Sequence, residues 1–114
     1  MEYQHHFKKK ICLLGSLEDI KDEFQEKSSD SCLPFDNKLN IGVNISRADF
    51  LYKNDVKFDY FLWNIDCDQE KAFLRTTFYP GAEAIIIFVS ENNVQQIYHY
   101  FNEIKLQVLV EFPH

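Results

Sequence analysis

The chain predicts an α/β fold: a three-layer domain with a mostly parallel five-stranded sheet and one antiparallel hairpin strand. Three observations carry this. Ile11-Cys12-Leu13-Leu14 and Ala84 to Val89 are short continuous apolar runs, the pattern of strands buried on both faces. Helical periodicity separates those runs. Two alternating segments flank Lys53-Asn54-Asp55, which reads as a hairpin turn. The element order β α β β α β α β places helices on both faces of an open sheet.

Residues 1–6 are polar and read as a flexible N-terminus, leaving 7–114 as a single domain. Phe7 to Leu14 is the first strand, and Gly15-Ser16 breaks it. Leu17, Ile20 and Phe24 recur at helical spacing, so Leu17 to Lys27 forms a helix with that stripe inward. Ser16 is its N-cap candidate, with Asp19 three residues later as a variant capping box. Glu18 and Asp19 suit the positive end of the helix dipole. Ser28 to Lys38 is a polar loop.

Ile41 to Tyr52 alternates on one parity and then on the other, which predicts a bulge near Ser46-Arg47. Val56 to Trp63 returns as the hairpin partner. Asn64 to Asp68 is a loop, Gln69 to Thr76 a short helix, and Pro80-Gly81 the turn before the strand at Ala84. Asn93 to Ile104 is a helix with Val94, Ile97, Phe101 and Ile104 on its inward stripe. Gln107 to Phe112 is expected as the last strand.

Composition narrows the function. A formal charge of −6 with no basic face beyond Lys8-Lys9-Lys10 excludes a nucleic-acid binder of the phosphate-neutralising kind. No apolar run approaches a membrane span. Three cysteines without CxxC spacing fit a reducing, cytoplasmic setting better than a disulfide framework or a zinc site. His5-His6 is a weak metal pair and reads as solvated. Asp66 and Asp68 read as solvated loop acids. Cys67, among acids, is a poor nucleophile. No catalytic residue and no metal ligand is assigned.

Several stretches agree in register with a known pattern. LRTTFYPGAEAIIIFVS at 74–90 follows the form LRxxYYRGAxxxIxVxD, and NIGV at 40–43 follows TIGV. Gly15 and Asn40, and likewise Trp63 and Leu74, keep the matching separations. On these residues the chain resembles a Ras-like small GTPase domain of Rab flavour. The resemblance covers nearly the whole chain. It implies a P-loop NTPase topology lacking the last strand and the last helices.

The resemblance also implies where a guanine nucleotide and Mg²⁺ would sit: Gly15, Lys21, Asp22 and Asn40 are the matching cofactor-binding positions. A phosphate cradle needs GxxxxGK[ST], because glycines let backbone N–H groups wrap phosphates and the hydroxyl holds Mg²⁺. Here Gly15 and Lys21 remain, but Ile20 replaces the second glycine and Asp22 the hydroxyl residue. Glu18 and Asp19 place negative charge inside the cradle, so one of them is expected to occupy the anion site, with Lys21 at the surface. Asn40 stands for the switch threonine, Asn64 for the metal-organising Asp, Cys67 for the glycine that meets the γ-phosphate, and Asp68 for the water-orienting glutamine. No NKxD base reader follows.

The expected activity is therefore that of a pseudo-GTPase: a binding or scaffold module with little or no GTP hydrolysis and no required cofactor. A weak GTP-binding switch, and a homodimer or split-domain half, are the alternatives. A protein partner would dock on the switch-like surface or on an exposed sheet edge; in the homodimer or split-domain alternative, where another chain covers the exposed sheet, Phe50, Tyr52, Phe61 and the strand Gln107–Phe112 are the contacts.

Overall fold

The computed structural model describes residues 5–32, 38 and 41–111. Strand β1 is His5–Leu14, α1 Glu18–Ser28, β2 Ser31–Cys32, β3 Val43–Tyr52 and β4 Val56–Ile65. A 3₁₀ turn Gln69–Lys71, helix α2 Ala72–Arg75 and a second 3₁₀ turn Thr76–Phe78 follow. Strand β5 is Ala84–Ile87, and helix α3 is Gln96–Glu111. The sheet runs β2-β3-β4-β1-β5. β1 pairs in parallel with both β4 and β5, whereas β3 is antiparallel to β4 and to β2. The architecture is α/β with a mixed sheet.

Side chains alternate across a strand, so one face of the sheet carries Cys12, Leu14, Val43, Trp63, Ile65, Ile85 and Ile87. These pack with Phe78, Tyr79, Tyr100 and Ile104 as the apolar core. The opposite face carries Asn44, Ser46, Leu62 and Asn64 under α1, whose Gln25 reaches Asn44, Ser46, Leu62 and Asn64 by hydrogen bonds. Helices therefore cover both faces.

The strongest periodic signals land where expected: β1, the hairpin and β5 form where the sequence places them. β1 begins at His5, ahead of the expected Phe7, because His5 to Leu13 pair with Val56 to Asn64 of β4. β4 runs on to Ile65, opposite Val43.

Other expectations need correction. The strand expected at Gln107–Phe112 does not form, since α3 continues through to Glu111; Phe112 lies outside the described residues. A short apolar run without a Gly or Pro break before it serves a helix as well as a strand. The sheet reaches five strands through β2, which joins the edge of β3 at Ser31↔Arg47 and Cys32↔Ser46.

β3 has no bulge. Its register with β4 steps one for one from Val43↔Ile65 to Tyr52↔Val56. The apolar residues change face instead. Val43 and Ile45 share the face of the apolar core, while Ala48, Phe50 and Tyr52 share the α1 face, beyond the end of α1. There Phe50 is 52 % exposed, and Phe58 stacks between Phe7 at 5.3 Å and Tyr60 at 5.9 Å.

Both long helices also present a different face from the expected one. In α1 the buried residues are Lys21 and Gln25, while Ile20 is 50 % exposed and Phe24 lies at the surface edge against Phe88. In α3, Tyr100 is buried and Ile104 packs against the core as expected, whereas Ile97 and Phe101, and Val94 ahead of the helix, are exposed.

Candidate functional site

The carboxyl ends of parallel strands are where an α/β sheet offers backbone groups to a ligand. Here β1 and β4 end side by side, with α1 leaving from one and the 66–68 loop from the other. Gly15 makes the crossing possible: its φ is +115°, and a Cβ there would lie 2.0 Å from the Phe88 carbonyl oxygen. Only glycine lets the chain pass so close to the end of β5, where the Phe88 N–H donates to Leu14. Gly15 is thus a close-packing residue, and its own N–H donates to the Cys67 sulfur at 3.2 Å.

α1 opens without a side-chain cap, and Leu17 holds the cap position. Ser16 does not cap the helix. Its hydroxyl donates to Gln96 of α3. The first residue of α1, Glu18, turns inward. Its Oε2 accepts the Cys67 N–H at 2.9 Å. Its Oε1 lies 2.9 Å from Lys21 Nζ and 2.5 Å from Lys38 Nζ. Of the two acids at the start of α1, Glu18 is the one that turns inward to these donors; Asp19 is exposed.

Lys21 is fully buried, which corrects its expected place at the surface. Besides Glu18 its ammonium holds the Ile65 carbonyl at 2.7 Å, the last residue of β4. Lys38 is buried as well and bridges Glu18 to Asp22, whose Oδ1 it meets at 2.7 Å. Burial opposes the charge on Lys38. Hydrogen bonds to Asp22 and Glu18 outweigh it and hold its pKa above the ordinary lysine value. The same Asp22 oxygen accepts Asn64 Nδ2 at 2.7 Å. Asn64 also donates to Gln25 Oε1 at 3.1 Å.

The backbone closes the arrangement. Gly42 N–H donates to the Lys38 carbonyl at 3.0 Å, and Asp66 N–H donates to the Gly42 carbonyl at 2.9 Å. No protein-family model and no curated protein matches this chain. Its site has to be read from its own geometry: two carboxylates, two buried ammonium groups and one backbone N–H, all paired with one another. Such a cluster holds itself together and leaves no side chain poised as acid, base or nucleophile.

The four positions expected at a nucleotide site fare differently. Lys21 and Asp22 come together through Glu18 and Lys38. Gly15 sits nearby but serves packing. Asn40 lies outside the described residues. Lys38 was missed by sequence reasoning, because nothing in its neighbourhood links it to Glu18. A lone lysine between Asn37 and Leu39 carries no signal of burial.

The loop acids are not both solvated. Asp66 is buried, accepts the Asp68 N–H at 3.0 Å and pairs with Lys71 at 3.0 Å. Burial opposes its charge, but these two donors outweigh it and hold its pKa below the ordinary aspartate value. Asp68 is exposed, as expected. The Cys67 thiol is buried and donates toward the Ile65 carbonyl at 3.6 Å. Cys12 is buried too, and that burial pushes its pKa up to about 11.

A second buried polar cluster, also missed, joins α2 to α3. Arg75 is 2 % exposed and grips Glu103 through both oxygens, at 2.9 and 3.0 Å. The Tyr79 hydroxyl donates to the same carboxylate. Burial opposes the charge on Glu103, but Arg75 and Tyr79 outweigh it and lower its pKa. This grip fixes the rotation of α3 and explains why Tyr100, not Phe101, faces inward.

Of the expected contact residues, Phe50 and Tyr52 lie together, each about half exposed. Phe61 is half-buried on the other face of the sheet, so it does not join them. His6 is held by Asp59 at 2.6 Å. Among the described residues no group of three or more His, Cys, Asp or Glu could hold a metal ion, and no helix is long and apolar enough to cross a membrane.

Proposed function

We propose that this chain is a degenerate Ras-like domain that acts as a binding or scaffold module, with little or no GTP hydrolysis. The observation that carries the reading is the Glu18 carboxylate. It receives the Cys67 N–H and the ammonium groups of Lys21 and Lys38, in the place where the resemblance would put a phosphate. A carboxylate paired with two buried ammonium groups opposes an incoming triphosphate twice, by its charge and by the cost of stripping its partners. The sheet, with β1 parallel to β4 and β5 and an antiparallel hairpin strand at β3, supports the Ras-like part of the reading.

The binding surface in this reading is the outer half of the hairpin on the α1 face. Phe7, Phe50 and Tyr52 are exposed there, and Phe58 and Tyr60 stack between them. A cluster of exposed rings of this kind marks a protein contact. The partner is a protein, and the setting is the cytoplasm, in keeping with the free thiols of Cys12 and Cys67.

Equilibrium titration with a fluorescent guanine nucleotide and Mg²⁺ tests the proposal. No saturable binding is expected up to high micromolar nucleotide. Affinity in the micromolar range or tighter overturns the reading in favour of a nucleotide switch.

A further inference from the structure

Three groups from separate parts of the chain converge on one carboxylate. Cys67 N–H comes from the loop after β4, Lys21 from the second turn of α1, and Lys38 from the connection that leads to β3. Two of the three are ammonium groups buried to 5 % exposure or less. Buried cations of this kind demand an anion, because an unpaired buried charge is strongly destabilising. Glu18 supplies it from one residue inside α1, on a flexible side chain that is 35 % exposed. The donors are buried while the acceptor reaches in from the rim.

That asymmetry separates site from occupant. Lys21 is fixed by the Ile65 carbonyl and Lys38 by Asp22, both independently of Glu18. The Lys38 carbonyl holds Gly42 N–H, and the Gly42 carbonyl holds Asp66 N–H. The pairing of Lys38 with Glu18 is thereby tied to the backbone at the entry to β3 and at the exit from β4.

We propose that Glu18 is a tethered occupant of an oxyanion site formed by Lys21, Lys38 and the Cys67 N–H, and that its presence clamps the backbone at Gly42 and Asp66. Removing the carboxylate opens the site to small free oxyanions and loosens the clamp. The inference rests on the reading above that the chain fills this site from within, and adds that the filling is exchangeable and mechanically coupled.

The test uses the full chain, the variant Glu18→Ala and inorganic phosphate, with chloride at matched ionic strength as control. In Glu18→Ala, amide exchange at Gly42 and Asp66 is expected to speed up by at least about tenfold, while the Cys12 to Leu14 amides of β1 hold their protection. Millimolar phosphate should raise the melting temperature of Glu18→Ala and slow that exchange again, with no such effect on the native chain. Adding Lys38→Met to Glu18→Ala should abolish the phosphate response. Phosphate and chloride acting alike on Glu18→Ala overturns the oxyanion site. Exchange at Gly42 unchanged in Glu18→Ala overturns the clamp. Should Glu18→Ala fold only when phosphate is present, the site is supported. Should it fold under neither condition, Glu18→Gln takes its place, and the absence of any phosphate-specific stabilisation there overturns the proposal. Guanine nucleotide binding by the native chain would overturn the scaffold reading and leave these phosphate outcomes free to go either way.

Discussion

On one face of the sheet Cys12, Leu14, Val43 and Ile65 pack against Tyr79 and Tyr100. On the other, the next residues along the same strands, Asn44 and Asn64, meet Gln25 and Asp22 of α1, and the Ile65 carbonyl meets Lys21. The first face is held by area removed from water, which is non-directional and lost in proportion to what is removed. The second is held by directional bonds among groups that would be costly if left alone. The two faces should therefore fail differently: gradually on the apolar side, abruptly on the side of α1. A cluster of paired charges is closed to other charges in a way that an apolar pocket is not.

The largest expected effect comes from breaking one charge on the α1 face. Lys21→Met keeps the stem but takes from the Ile65 carbonyl its charged donor and from Glu18 one of its two cations. A loss of about 3 kcal/mol in urea unfolding is expected, from leaving a buried carbonyl short of its charged donor and removing the fully buried half of an ion pair. Ile65→Ala tests the apolar face at the same strand end, and about 2–4 kcal/mol is expected for the cavity it leaves. The two faces are distinguished by a third variant. Glu18→Leu combined with Lys21→Met should cost less than the sum of the single changes by at least about 1 kcal/mol, because each single change takes an oppositely charged partner from the other. Strict additivity in that double-mutant cycle would mean the pair is not coupled.

Acid offers a milder probe, aimed at the ion pair that crosses the apolar face. Glu103 has a pKa lowered in the folded chain, with burial opposed and outweighed by Arg75 and Tyr79. A lowered folded pKa gives stability that is fully present above the unfolded value and lost as pH falls through the folded one. Native stability should fall as pH drops below about 4, near the ordinary glutamate value. Glu103→Gln should be less stable at neutral pH and show a shallower decline in that window. Denaturant midpoints measured at several pH values check both; parallel pH curves for the two proteins would remove Glu103 from the account.

How far the sequence reached depended on the same contrast. β1 and β5 were legible because a continuous apolar run has few other uses in a chain of this length, and the hairpin because alternation and a polar turn coincide. The apolar stripes on α1 and α3 were legible as helices but not as orientations. Ile20-Phe24 and Ile97-Phe101 mark helical period correctly, yet the faces turned inward are set by Lys21 and Gln25 in one case and by Tyr100 and Glu103 in the other. Those choices depend on strand-end carbonyls and on Arg75, partners far away in the chain. Glu18 stood out as an inward-turning acid because two carboxylates, Glu18 and Asp19, open α1 directly after Gly15-Ser16. Lys38 did not, since its role exists only once α1 and the entry to β3 lie together. The last strand failed for a simpler reason: the residues after Lys105 satisfy a helix as readily as a strand, and nothing local stops α3 before Glu111.

The smallest expected effect is also the sharpest check on the inverted helix. Ile20→Ser and Phe24→Ser remove the apolar stripe that periodicity would bury. If α1 packed through that stripe, each change would cost about 2–4 kcal/mol, as large-to-small changes in a core do. With Ile20 half exposed and Lys21 fully buried, the Ile20 change should instead fall within about 0.5 kcal/mol of the native chain, the range of ordinary surface substitutions. Phe24 touches Phe88 at a ring distance of 5.4 Å, so its change should cost somewhat more, about 1 kcal/mol. Gln25→Leu, one residue on, should cost more than either, because it removes the buried donor shared by Asn44, Ser46 and Leu62 and the acceptor of Asn64 Nδ2. An order in which Ile20→Ser exceeds Gln25→Leu would return the apolar stripe to the interior and take the paired-charge site with it, since Lys21 and Ile20 cannot both face the sheet.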